Sequence, residues 1–392
     1  MAREKSVAAV GDVTDVNTWS GIPFHFWRAA QAADFAVRAW RLDLSKISWQ
    51  RYVWNALGVA RGGRGGFQYS DWFLNLAERQ IPAELFATEV ITFNQHFPRA
   101  EAVVRAGGRQ NYYIDAPFLG LVTGRGLDLH LPKKVADRAV AAERQNFAAA
   151  DRIITMARWA AEVVVAECGV PAERVFTILP GANLELPADW DYPVRPGRPG
   201  IDREFVLGFV GKDWRRKGLP LITAVRDELS RRGLKVTVHA AGRVPEDFEG
   251  RPGVVFAGFI DKRTDAARFT EFLSGCDVGC LFSDHEALGI STLEFLRAGV
   301  PVAGFAHEGV ADTIPPDCGF RFELGTAVAE IADRLEAHMR DDGAVAAFRA
   351  AARGWSPRVT WERCVGEFAE LWSSGKVASP VRAWLPLSGL SK

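Results

Sequence analysis

The sequence is poor in the features that would take it out of the ordinary globular class. Only five of its 392 residues are cysteine, at 168, 276, 280, 318 and 364, and none forms a CxxC pair. That excludes a sequence-local zinc knuckle or redox motif, and the low, odd count fits a reducing compartment. There is no surplus of charge, with 48 Lys plus Arg against 48 Asp plus Glu. A general nucleic-acid binder needs a basic excess to displace counterions, so nucleic acid is not an expected partner, although a local basic patch stays open. No uninterrupted run of about 18 apolar residues occurs, so no membrane span is expected. The opening residues, MAREKSVAAVGD, hold no apolar stretch of signal-peptide length, which makes a cytoplasmic location the expectation. No internal repeat of short period is found.

What is present is a balanced composition, 48% hydrophobic and 24% charged. At about 150 residues per domain the length suggests two domains, each able to bury a core without staples. Thirteen tryptophans is a high count, and Trp19, Trp27, Trp40, Trp49, Trp54 and Trp72 lie in the N-terminal quarter. Tryptophan there serves either core packing or an exposed acceptor or membrane-interface face.

Periodicity gives βα alternation, which implies parallel sheets covered by helices. Ser6–Val10 reads as a buried strand, followed by a loop through Gly21 and a helix over Phe24–Ala39. Lys133–Ala150 reads as a helix, Asp151–Thr155 as a strand, Trp159–Glu167 as a helix and Val175–Leu179 as a strand. Residues 187–203 are rich in Pro and Gly turns. A second series then begins with strand Phe205–Val210 and helix Leu219–Arg231. Strands Lys235–Ala240, Val254–Ala257, Asp277–Phe282 and Pro301–Phe305 follow, with helices over Arg263–Ser274, Thr292–Ala298, Ala327–Arg340, Ala344–Ala352 and Pro357–Trp372. The expected organisation is a domain over 1–190, a linker over 191–203, a second domain over 204–356, a helix over 357–373 returning to the first domain, and a tail over 374–392.

The most informative stretch runs from Phe282 to Pro301. Two carboxylates, Glu286 in a loop and Glu294 in the first turn of a helix opening near Ser291, are separated by seven residues. Amides at a helix start make an anion site, and carboxylates accept hydrogen bonds from sugar hydroxyls. The pair therefore suits a nucleotide-sugar. The same Ser291-x-x-Glu294 spacing also reads as a capping box.

Glu286-x7-Glu294 followed by Arg297-Ala-Gly-Val-Pro-Val resembles the E-x7-E signature of the retaining glycosyltransferases of family 4, which have the GT-B fold. Gly211-Lys-Asp-Trp-Arg-Arg-Lys217-Gly218 resembles that family's basic loop. Phe256-Ala-Gly258-Phe259-Ile260 resembles its nucleotide-base loop. Asp151-Arg-Ile-Ile-Thr-Met and Ile178-Leu-Pro-Gly-Ala-Asn183 resemble the end of its N-terminal domain, and Trp19-Ser-Gly21-Ile-Pro its N-terminal glycine loop. The order of these segments carries the resemblance over most of the chain.

The resemblance implies two Rossmann-like, doubly wound parallel-sheet domains facing a cleft, with the acceptor bound by the first and the donor by the second. Glu286 would lie beside the transferred sugar, with the amides of Leu288, Gly289 and Ile290 near the sugar or phosphates and Glu294 on the ribose. Lys217, with Arg216 or Lys212, would neutralise the diphosphate as charge grows on the leaving group. Gly258, Phe259 and Ile260 would meet the base. Gly21 would allow close backbone approach to the donor phosphate. Asp115, in Tyr112-Tyr113-Ile114-Asp115-Ala116, stands where many relatives carry a histidine; it would touch the donor sugar or acceptor, or else cap the turn before Pro117. His96 and His285 read as supporting residues, and His25 follows the glycine loop.

The implied activity moves a hexose from a UDP-, GDP- or ADP-sugar to a glycan, lipid-linked or small-molecule acceptor, with retention. No resident cofactor and no metal are expected, since the cations replace Mg²⁺ and no DxD pair follows a strand. Peripheral membrane contact is permitted. The alternatives are a nucleotide-sugar epimerase or phosphorylase of the same fold, or a binding subunit without turnover.

Overall fold

The computed structural model describes residues 3–376 except 60–64, 123–130, 188, 194, 196, 244, 246, 247 and 249. The chain divides into two compact units. The first runs to Leu179 and resumes at Cys364, and the second covers Pro180–Arg363.

The first unit is built on a parallel sheet of β1 (Lys5–Ala8), β2 (Arg38–Ala39), β3 (Glu89–Thr92), β4 (Arg109–Ile114), β5 (Arg152–Thr155) and β6 (Val175–Thr177), in the order β2-β1-β3-β4-β5-β6. The helix expected over Phe24–Ala39 is shorter, Ile22–Ala32. Asp34 takes a left-handed turn (φ 52°), and the chain then runs back along β1, with Val37 N–H donating to the Lys5 carbonyl. That pairing, rather than helical periodicity, decides the conformation of Arg38 and Ala39. The helix Trp361–Ser374 belongs to this unit from Cys364 onward. Its Phe368 packs at 5.0 Å from Phe26 and 4.9 Å from Tyr113, ring centroid to centroid.

Glu143, on the helix Lys133–Ala149, is buried and accepts the amides of Phe118 (2.5 Å) and Leu119 (3.0 Å). Burial pushes its carboxyl up to about 7. It thereby holds the first amides of the helix Phe118–Val122, which follows Asp115. The tryptophans divide between core and surface. Trp40 and Trp27 are core residues, whereas Trp19 and Trp49 are exposed.

The second unit repeats the plan with β7 (Phe205–Gly211), β8 (Val236–Gly242), β9 (Val254–Gly258), β10 (Val278–Leu281), β11 (Val302–Phe305) and β12 (Gly319–Phe322), in the order β12-β11-β10-β7-β8-β9. All neighbours are parallel. Phe205, Leu207 and Phe209 on one face of β7 pack with Ile222, Val225 and Leu229 of the helix Leu219–Arg231, while Val206 on the other face is equally buried. A strand covered on both faces is apolar throughout, as its sequence FVLGFVG is.

The Pro-rich stretch expected as a linker packs into this unit. Arg195 and Arg203 both reach Asp277, whose Oδ2 accepts each at 2.8 Å and also the Val206 amide at 2.8 Å. Its Oδ1 accepts Arg203 (2.9 Å) and Arg349 (3.0 Å). One buried carboxylate thus ties residues 195 and 203 and the helix Asp342–Trp355 to the amino ends of β7 and β10. The expected tail lies outside the described residues from 377 on. Among the described residues no helix is long and apolar enough to cross a membrane. All five thiols are free, and burial pushes Cys168 and Cys276 up to about 12.

Removing the shared carboxylate leaves three guanidiniums facing one another in a largely covered site. Asp277→Ala is therefore expected to destabilise the protein by about 3 kcal/mol or more, read as a lowered urea midpoint. Arg198→Ala, which breaks the exposed pair with Asp342, is expected to change stability by less than about 1 kcal/mol.

Candidate functional site

Strand order reverses between β7 and β10: β8 and β9 lie to one side of β7, and β10, β11 and β12 to the other. Loops leaving the carboxyl ends of two such strands diverge and open a crevice. The loop after β7 carries Lys212–Gly218, and the loop after β10 carries Phe282–Gly289. The sequence motifs singled out for their chemistry therefore sit on adjacent strands.

Contact between the two loops depends on Gly218. It holds a left-handed φ of 82° at the start of the helix Leu219–Arg231, and a Cβ there would lie 2.4 Å from the Phe282 carbonyl oxygen. Only glycine lets the backbones approach this closely.

Two cations converge on one carboxylate across this contact. Arg216 Nη1 lies 3.1 Å from Glu286 Oε2, and Lys217 Nζ lies 3.4 Å from the same oxygen. Ser283 Oγ donates to it at 3.4 Å. Arg216 is further held by Asp213 (3.1 Å) and the His285 carbonyl (2.7 Å). Lys212 stands apart, with its ammonium 5.4 Å from the centre of the exposed Phe259 ring. Of the two residues left open as the second cation, Arg216 is the one that shares Glu286 with Lys217.

Glu286 is also held through its backbone. Its amide donates to Glu308 Oε2 at 3.0 Å. The other oxygen, Glu308 Oε1, lies 3.4 Å from His285 Nδ1 and 3.5 Å from His307 Nε2. Glu308 was not singled out in the sequence. It follows β11 and has no local pattern, although its left-handed φ of 47° is unusual for a non-glycine residue. Among the described residues this His–Glu–His group alone has ligand atoms close enough together for a metal ion.

The helix after this loop begins one residue before Ser291, at Ile290, with Gly289 (φ 85°) as its N-cap. The capping box is consequently not formed. Ser291 Oγ is buried with no partner among the described residues, and Glu294 lies in the second turn. The Glu294 side chain is only 1% exposed and pairs with Lys262, from the loop after β9. Lys262 was likewise not foreseen, because nothing local links it to Glu294. Leu288 and Gly289 are buried, Ile290 is half-buried, and Ile260 is buried beside the exposed Phe259.

Gly21 and Asp115 belong to the first unit, at the carboxyl ends of its strands. Gly21 has a φ of 85° and caps the helix Ile22–Ala32, and a Cβ would approach the Val16 carbonyl to 3.0 Å. Asp115 Oδ1 accepts the Ala116 amide at 2.8 Å, so it does order the turn before Pro117. His96 is buried, with Nε2 3.0 Å from the Ala139 carbonyl and its pKa pushed down to about 4 by burial. His25 packs edge-on against Phe24.

With this geometry in hand, similarity to known proteins becomes informative. Residues 204–341 match the sequence profile of the family described as "Glycosyl transferases group 1". A 2-deoxystreptamine glucosyltransferase of Streptomyces kanamyceticus is 29% identical over 261 residues, 62% of this chain and 66% of that protein. A D-inositol 3-phosphate glycosyltransferase of Xylanimonas cellulosilytica is 24% identical over 258 residues, 62% of this chain and 61% of the relative. The match thus spans a little under two thirds of these relatives' length. Among solved structures, sucrose-phosphate synthase from Thermosynechococcus elongatus superposes with a TM-score of 0.67 at 14% identity, over 95% of this chain and 98% of that one. Anabaena Alr3699/HepE, in complex with UDP and glucose, gives 0.61 at 14% identity, over 95% and 100%. Residues 204–341 carry the likeness to the group 1 glycosyltransferases, and the chain as a whole has the two-domain α/β GT-B fold.

Proposed function

We propose that the protein is a retaining glycosyltransferase of family 4 that moves a hexose from a nucleotide-sugar to an acceptor hydroxyl. The observation that carries this reading is the convergence of Arg216 and Lys217 on Glu286 at the crevice between β7 and β10. The names of the similar proteins, which act on 2-deoxystreptamine and inositol phosphate and include glycogen synthases, support a polyhydroxylated acceptor. Polysaccharide or glycolipid assembly is the role inferred.

The chemistry follows from charge. As the glycosidic bond breaks, negative charge collects on the departing diphosphate, and fixed cations favour that state without reorganising. In the free protein Glu286 neutralises Arg216 and Lys217 and holds them in place. On donor binding they turn to the phosphates, and the released carboxylate accepts hydroxyls of the transferred sugar. The buried glycine turn at Leu288–Ile290 brings backbone amides close to the same ligand. The leaving phosphate helps to deprotonate the acceptor on the same face, which preserves the configuration. In this scheme Arg216 and Lys217, not a divalent ion, meet the phosphate charge. Glu294 reaches the ribose only where Lys262 shares it. Phe259 offers an exposed ring to the base, with Lys212 at its face, and Gly21 and Asp115 are assigned to the phosphate and to the reacting hydroxyls.

A peripheral membrane role is included in the proposal. The helix Ser48–Val59 leaves Trp49 61% and Tyr52 67% exposed, and Val53 and Leu57 are exposed on the same face. That i, i+3, i+4, i+8 stripe, flanked by Lys46 and Arg51, suits an anionic lipid interface.

Thermal denaturation with UDP, GDP and ADP is expected to show a rise in Tm with one of the three. Arg216→Ala/Lys217→Ala should abolish that rise, and Glu286→Ala should keep it. With the sugar of the nucleotide so identified, Glu286→Ala should lower transfer at least about 100-fold with an unchanged far-UV circular dichroism spectrum. Wild-type transfer in that variant would remove Glu286 from the reaction, and no shift with any nucleotide would favour a binding subunit.

Co-sedimentation with phosphatidylglycerol-containing vesicles should capture the wild type at low salt. Trp49→Ser/Leu57→Ser should remain in the supernatant, and equal sedimentation of both would remove this face from the proposal.

A further inference from the structure

We propose that His285, His307 and Glu308 form a divalent-metal site, suited above all to Zn²⁺, that clamps the loop bearing Glu286. This site is separate in kind from a metal on donor phosphates.

The donor set is two imidazole nitrogens and one carboxylate oxygen, a combination that zinc accepts readily with a fourth position left for water. Bonds of about 2.0–2.1 Å in a tetrahedron place neighbouring ligand atoms about 3.4 Å apart. The two edges from Glu308 Oε1 measure 3.4 Å to His285 Nδ1 and 3.5 Å to His307 Nε2. All three ligand atoms lie within 4.8 Å of one another, and binding would draw the two imidazole nitrogens to the third edge.

His285 follows β10, whereas the consecutive His307 and Glu308 follow β11, so the fold brings His285 to that pair. Burial is graded in the sense a metal site needs. The Glu308 side chain is 4% exposed, whereas both imidazoles are partly open to solvent and leave an entry path. A covered carboxylate calls for a cation, yet no Lys or Arg reaches Glu308 among the described residues. Glu286 is not available as a ligand, because its carboxylate is taken by Arg216 and Lys217.

The second oxygen of Glu308 gives the site its consequence. Oε2 accepts the Glu286 amide at 3.0 Å, so a metal on Oε1 would brace that bond through the same carboxylate. His307, Glu308 and the metal would act as positioning elements for Glu286.

The test uses the full chain without a polyhistidine tag, stripped with EDTA and titrated with Zn²⁺ against a chromophoric chelator. One equivalent is expected to bind. His285→Ala and His307→Ala, each checked for folding by circular dichroism, should each weaken that binding at least about 10-fold and lose the Zn²⁺-dependent rise in Tm. Glu286→Ala should keep the zinc, which separates this site from the proposed transfer reaction. No bound equivalent in the wild type, equal binding in the two histidine variants, or loss of zinc in Glu286→Ala would each overturn the assignment.

Discussion

The carboxylate of Glu286 is the point on which the crevice between β7 and β10 turns, because it compensates two cations that would otherwise repel each other in a half-covered setting. Arg216 and Lys217 are consecutive, and their charged ends meet the same oxygen. Arg216 also pairs with Asp213, but Lys217, its side chain 14% exposed, would be left as a covered charge without Glu286. Everything around the trio serves to keep it together. The switch in strand order brings the two loops side by side, and Gly218 lets them touch. Asp213 and the His285 carbonyl fix the guanidinium, and Glu308 holds the backbone of Glu286 itself.

A second compensated charge works at the opposite end of the same sheet. Asp277 gathers Arg195, Arg203 and Arg349 and the Val206 amide. There the arrangement is structural: it fastens an irregular, proline-rich stretch and a helix to the ends of two central strands. The two clusters differ in how far they are covered. At Asp277 the carboxylate is almost wholly covered, with its side chain 2% exposed. At Glu286 the carboxylate and both cations stay partly open to solvent, as the proposed exchange of partners requires.

How much of this was legible in the sequence depends on the range of the interactions involved. The second unit was readable because its central strands β7, β10 and β11 are covered on both faces and so spell continuous apolar runs, and because the loops with the candidate residues directly follow β7 and β10. The helix Leu219–Arg231 was located to the residue, since Gly218 and Pro220 mark its start. Between Trp40 and Leu131 no strand or helix was read, although Tyr112–Ala116 was picked out by resemblance. Strand β3 is four residues long and includes Glu89, too short to show a period. β12 was missed for the same reason. The capping box failed because Gly289, one residue after the last loop side chain, starts the helix earlier than Ser291 would. Glu308, Lys262, Asp277 and Glu143 all act on partners more than 20 residues away, and no local pattern announces a carboxylate whose partner lies on another strand. The proline-rich segment reads as a connector by composition, yet its arginines anchor it.

The pairing of Arg216, Lys217 and Lys262 with carboxylates also bears on how a charged ligand would approach. Lys217 and Arg216 answer Glu286 and Asp213, Lys262 answers Glu294, and Lys212 is spread over an aromatic face. Seen from a Debye length away, about 8 Å at physiological ionic strength, such a surface has little net field. A polyphosphate would therefore gain little long-range steering, and its arrival rate would respond only weakly to salt. Attraction would develop at contact, as carboxylates hand their cations over, so that selectivity would be exercised in the departure rate and not in the encounter.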